Sequence, residues 1–174
     1  IMAVKSEKRK FVTGKVRFSF VHVFEPTETL NGSLKYSASI LIPKSDKETV
    51  DRFNKMFEEV KEANKNFFGG SIPKMLKGGL RDGDMEKPDD SAYTGSFFIN
   101  ANSAMRPGVV DAEMEAIIDP ADFYSGCFGR ASITFYPYNA QGSKGIACGL
   151  NNLQKLEDGE SLGGASSAAA DFAV

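Results

Sequence analysis

Two long stretches of this chain alternate polar and apolar side chains residue by residue, a period that an extended strand with one buried face produces. In residues 11–24, Val12, Val16, Phe18, Phe20 and Phe24 fall on one side, and Thr13, Lys15, Arg17 and Ser19 on the other. In residues 128–138 the inward set is Ala131, Ile133 and Phe135, and the outward set is Arg130, Ser132, Thr134, Tyr136 and Tyr138. Both read as long, half-buried strands.

The stretch between them supplies the partners. After turn signals at Pro26 and Asn31-Gly32, residues 33–42 alternate Leu34, Tyr36, Ala38, Ile40 and Ile42 with Lys35, Ser37 and Ser39, which predicts a hairpin with the first strand. Ser45 followed by Glu48 is a capping-box signature, and Val50, Phe53, Met56, Phe57 and Val60 recur at helical spacing, so a helix is predicted over 46–66. Residues 69–90, rich in Gly, Pro, Lys and Asp, read as a long loop. Strands are predicted over 93–102, 107–111 and 116–118, then a turn at 139–142 and a return strand over 144–156 that buries Ile146, Cys148 and Leu150. About five strands with one inserted helix fit a small barrel better than a sandwich or a parallel sheet. The expected division is a basic arm over 1–10, the barrel over 11–158 and a flexible Gly/Ser/Ala-rich tail over 159–174. Ile1, ahead of Met2, reads as a cloning scar or processing remnant.

Composition narrows the function classes. At 174 residues and 41% hydrophobic content the chain can build one core. No apolar run reaches the roughly 18 residues of a membrane span, and the basic start leads into no signal-peptide core, so a soluble cytoplasmic protein is expected. Cys127 and Cys148 form no CxxC pair, and His22 lies between Phe20 and Phe24 on the apolar side of its strand, where a core role is expected. Neither a metal site nor a cofactor is implied. Residues 1–87 hold 17 Lys and Arg against 12 Asp and Glu, residues 88–174 hold 4 against 11, and such a split suits a polyanion-binding surface beside a region that repels polyanions.

The chemistry concentrates on the outward strand positions, where cations and aromatics occur together: Lys15, Arg17, Lys35, Arg130, Tyr136 and Tyr138, with Lys144 across the turn. Single-stranded nucleic acid is held in this way, cations neutralising phosphates and rings stacking on bases. The alternative is a solvated face whose tyrosines cover a core edge. Phe97 and Phe98 adjoin, so one of them faces away from the core or lies under a helix; Phe98 is the candidate for base contact. Lys74, Lys77 and Arg81 are loop cations able to close over a strand. Asp82, Asp84 and Glu86 read as an acidic turn or, alternatively, a divalent-metal site, although their spacing departs from the calcium loop. No P-loop, GxSxG or GxGxxG signature is present, which argues against an enzyme.

The segments Tyr124-Ser125-Gly126-Cys127, Arg130-Ala131-Ser132, Phe135-Tyr136-Pro137-Tyr138-Asn139 and residues 144–155 resemble the phage single-stranded DNA-binding proteins typified by an Enterobacter phage protein, as do residues 80–84 and 98–101. The resemblance spans about residues 11–164. It implies an OB-fold barrel, sequence-tolerant binding of single-stranded DNA, a role in phage replication, recombination or repair, and residence in the cytoplasm of the infected host. On this chain it places Arg130, Tyr136 and Tyr138 on the DNA surface. Phage proteins of this function often end in an acidic tail that recruits replication proteins. Here charge is sparse after residue 160, so the expectation is either that Asp171-Phe172 is a remnant of such a tail or that the tail is truncated. The competing expectations are a metal-dependent phage nuclease using Asp82, Asp84 and Glu86, and a virion or assembly protein whose tyrosines form a subunit interface.

Overall fold

The computed structural model describes residues 6–162 of the chain. In chain order these form β1 (Arg9–Val12), β2 (Val16–Glu28), β3 (Leu34–Pro43), α1 (Lys47–Ala63), β4 (Arg81–Asp82), α2 (Gly83–Glu86), β5 (Ser96–Ser103), β6 (Gly108–Val110), β7 (Phe128–Ala140) and β8 (Ser143–Glu157), with single 3₁₀ turns at Ser91–Tyr93 and Pro120–Asp122. Among the described residues five strands close a ring: β2 pairs β3, β3 pairs β5, β5 runs parallel to β8 at Asn102 and Gly149, β8 pairs β7, and β7 returns to β2 at Val16 and Gly129. The expected barrel with one inserted helix is therefore what forms. β1 continues alongside β7, β6 alongside β8, and β4 lies on β5.

The alternation of 128–138 survives intact, with Ala131, Ile133 and Phe135 buried and the opposite set facing out. β7 and β8 are joined by a two-residue turn in which Gln141 and Gly142 both have positive φ, the geometry whose twist matches antiparallel strands. On β8, Ile146 and Leu150 are buried and Cys148 partly so; an extra residue at Asn151 then shifts the phase, and Leu153 becomes the next core residue.

Residues 11–24 do not form one strand. Thr13 donates from its N–H to the Ala131 carbonyl and accepts from the Ala131 N–H at its hydroxyl, so one more residue lies on this strand than on β7 between Val12↔Ser132 and Val16↔Gly129. Phe11 and Thr13 point inward before this bulge, Val16 and Phe18 after it. A second register shift between Ser19 and His22 turns Phe20 and His22 outward and leaves Val23 in the core. The core placements expected for Phe20 and His22 are thus corrected: each bulge moves the apolar set to the other face.

The helix cap also moves. Asp46, not Ser45, caps α1, its carboxylate accepting from the Thr49 N–H at 3.1 Å and the Thr49 hydroxyl at 2.7 Å. Thr49 in turn accepts from the Gly14 N–H, tying the helix start to the first bulge. α1 lays Phe53 against Phe11 and Phe135, with ring centroids 5.5 and 4.9 Å away. Within the predicted loop, Lys77 bridges to Gly145 and residues 81–86 form β4 and α2. The strand expected at 116–118 reduces to one bridge between Val110 and Ala116. Arg9 and Lys10 belong to β1 rather than to an arm, and residues 159–162 are held on the barrel: Arg17 donates to the Glu160 carbonyl and Leu162 to that of Ser125. The remainder of the expected tail, Asp171-Phe172 included, lies outside the described residues.

Candidate nucleic-acid interface

Register decides which side chains share the outer face. Ser37 and Ser39 of β3 pair with Asn102 and Asn100 of β5, Asn102 pairs with Gly149, and on β8 Gly149, Ala147 and Gly145 pair with Thr134, Tyr136 and Tyr138 of β7. Their neighbours Ala38, Ile40, Ile99, Ala101, Ile133 and Phe135 line the core. The outer face therefore runs from serines and asparagines, across a bed of Gly and Ala, to two tyrosines. The bed matters, because the hydroxyl end of the Tyr138 ring lies over Gly145, where a Cβ would come within 2.6 Å of it.

Between β5 and β8 the face sinks into a groove of about 170 Å³ lined by Arg81, Asn100, Asn102, Tyr138 and Cys148. A wider hollow beyond Asn102 contains Lys35. Burial pushes the Tyr136 phenol above its ordinary value and the Cys148 thiol up to about 12, so both stay neutral and uncharged chemistry lines this part of the face. Arg81 is aimed by two contacts: Nε and Nη2 donate to Glu86 Oε1 at 3.0 and 2.8 Å, and the guanidinium lies 4.8 Å from the centroid of the Phe98 ring. Lys77 and Lys144 are joined through their backbones at the groove's end, the Lys144 ammonium donating to the Phe68 carbonyl at 3.2 Å, and Lys74 stands exposed in the preceding loop.

Four expected residues lie elsewhere. Phe98 is 0% exposed, enclosed by Leu41, Tyr93 and Arg81, so its ring is closed to a base. Arg17 donates to the backbone carbonyls of Gly126 and Glu160 and lies on Phe128, and Lys15 pairs with Glu157; both act at the opposite end of the barrel. Arg130 donates to the Thr13 carbonyl and sits eight residues from Tyr138 along β7, about 26 Å by strand rise. Sequence reasoning missed Asn100 and Asn102, which continue the outward alternation of Phe98 and could have been found by extending it.

Asp82 and Asp84 share Lys44 at 2.8 and 2.9 Å, and Glu86 faces Arg81, so the three carboxylates are taken up by two cations. The hydrogen bond from Lys44 holds both Asp carboxyls below their ordinary range, and they in turn raise Lys44. A depressed carboxyl stabilises the fold above its ordinary value of about 4 and loses that effect as pH falls through the folded value. The melting-temperature gap between the wild type and Lys44→Met is therefore expected to narrow from pH about 7 to about 3, and a constant gap would mean the pairs contribute nothing.

The family described as Enterobacter phage Enc34, ssDNA-binding protein, matches residues 9–174. The chain belongs to this family. A solved single-stranded DNA-binding protein from bacteriophage Enc34, in complex with ssDNA, superposes with a TM-score of 0.72 at 28% identity, over 88% of this chain and 89% of that one. Protein p50 of Acyrthosiphon pisum secondary endosymbiont phage 1 is 31% identical over 89% of this chain and 87% of its own length. The single-stranded DNA binding protein gp2.5 of bacteriophage T7, at 17% identity, TM-score 0.60 and coverage of 97% and 96%, shares the OB-like fold. In this family member the segment Tyr124 to Cys127 works as a latch: the Tyr124 hydroxyl contacts Asp158 and Gly159, Ser125 accepts from the Leu162 and Val21 N–H groups, and Gly126 accepts from Arg17.

Proposed function

We propose that this phage single-stranded DNA-binding protein carries its strand across the outer face of the barrel, bases against Tyr136 and Tyr138 and phosphates on Arg81, Lys35 and the Lys74, Lys77 and Lys144 cluster. The observation that carries the reading is the groove itself, where Arg81, Tyr138, Asn100 and Asn102, from three separate parts of the chain, converge on the face that bears the half-buried rings of Tyr136 and Tyr138. Amide and hydroxyl groups both donate and accept, so the floor accommodates any base edge, in keeping with little sequence specificity. Glu86 occupies the position on Arg81 that a phosphate oxygen takes when DNA binds.

The biological role that follows is protection of single strands during phage replication, recombination or repair in the cytoplasm of the infected host. Barrel residues 11–158 bind DNA, and the chain beyond 159 serves contacts with phage or host replication proteins. Arg130 extends the path if the bound strand follows β7.

The test is titration of a labelled oligo-dT across a salt series. Binding is expected to weaken with salt, with a log–log slope of about −0.7 per neutralised phosphate. Arg81→Ala flattens the slope by about one such contact, whereas Arg17→Ala, which removes a side chain already committed to backbone carbonyls, leaves it unchanged. The reverse pattern moves the path to the other end of the barrel.

A further inference from the structure

Phe20 stands out among the described residues. Its φ is +49°, a region that bulky L side chains avoid, and its ring is 55% exposed. The conformation is built in rather than incidental, because the shift in register at this point releases the Val21 N–H from the β3 ladder and Ser125 Oγ accepts it at 3.0 Å. Residues held in such conformations cluster at ligand sites.

Beside the ring lies a hollow of about 370 Å³, in the range of small-ligand sites and large enough for roughly a dozen waters. Its polar floor is Thr27, Ser37 and Asn100, and Asn100 is shared with the groove of Arg81 and Tyr138. Lys87 overhangs it, with Nζ 5.8 Å from the Phe20 centroid and 5.9 Å from that of Tyr93, within cation–π range. Lys87 forms no ion pair among the described residues.

We propose that this hollow is a second base-binding site, in which an unstacked nucleobase lies on Phe20, its edge meets Ser37, Thr27 and Asn100, and the adjoining phosphate meets Lys87. A ring, a polar floor and an unpaired ammonium are the three elements that a nucleotide engages at once. The inference rests on the outer face being the single-strand path, which it extends beyond Asn100 to the bulge of β2.

The experiment compares wild type, Phe20→Gly, Phe20→Tyr and Tyr136→Ala by anisotropy of a labelled dT 20-mer, each with a thermal melt. Glycine adopts positive φ readily, so Phe20→Gly is expected to melt no lower than wild type yet bind about 5- to 100-fold more weakly. Phe20→Tyr keeps the ring and is expected to retain affinity. Full affinity in Phe20→Gly alongside weakened Tyr136→Ala overturns this site alone. An affinity loss that tracks a lower melting temperature, or an equal loss in Phe20→Tyr, overturns it as well. A wild type that does not bind the oligonucleotide overturns both this site and the path it extends.

Discussion

Replacing Tyr136 and Tyr138 together with alanine is expected to cost about 1–3 kcal/mol of oligo-dT affinity at each ring that works as a platform, and to leave the salt slope as it was, since no charge is removed. The two positions are about 7 Å apart along β7, a spacing that lets neighbouring bases use them. What makes the rings available is their partner strand. Opposite them β8 presents Gly145 and Ala147, and Gly149 lies within reach of Tyr136, so the rings rest on backbone rather than being wedged between side chains. Stacking needs the ring and not the hydroxyl, so Tyr→Phe at both positions is expected to bind as wild type does. Anisotropy titration and thermal melting on the same variants separate the two roles open to these tyrosines. A double alanine variant that stays folded with full affinity takes the rings off the DNA path. One that loses affinity only in step with its melting temperature shows that they cover a core edge.

The residues of β7 could be assigned to their faces from sequence because that strand runs its length without a bulge on its outward-facing aromatic half, and period two then fixes every side chain. The same rule failed on residues 11–24 for a physical reason. The extra residue between Val12 and Val16 and the shift at Phe20 each reverse the pleat; the first is marked only by Gly14, whose bulge signal the alternation passed over, and the second by neither glycine nor proline. Lys15 and Arg17 were legible as outward cations but not as engaged ones, because their partners Glu157, Gly126 and Glu160 come from more than a hundred residues away. The groove depends on the parallel contact of β5 with β8 at Asn102 and Gly149, a non-local pairing that no local pattern announces. The family signature around Tyr124 was recognisable in sequence, yet what it builds is largely a latch for residues 158–162 and for the bulge of β2.

Phe98 shows the same limit at a single residue and gives the second large effect. Facing away from the main core, it is enclosed in a small cluster with Leu41 and Tyr93, its ring 5.0 Å from that of Tyr93 at 87° and capped on the outside by Arg81. Deleting a buried phenyl group costs the transfer of its carbons plus the cavity left behind, so Phe98→Ala is expected to lose about 3–5 kcal/mol of folding stability. That is a large part of the roughly 5–15 kcal/mol typical of a domain. The cover over the cluster comes from Arg81 of the two-residue β4, α2 and one 3₁₀ turn, elements short enough to settle into the gap, which places the loss toward the lower end of that range. Phe98→Leu refills most of the volume and is expected to lose about 1–2 kcal/mol. Denaturant unfolding measures both. In DNA titrations under conditions where Phe98→Leu is fully folded, affinity should stay close to wild type, since Arg81 keeps an apolar surface beneath it and its bond to Glu86. A base stacked on Phe98 would give the opposite result, with alanine leaving stability nearly intact and weakening binding, and that outcome would return Phe98 to the DNA path.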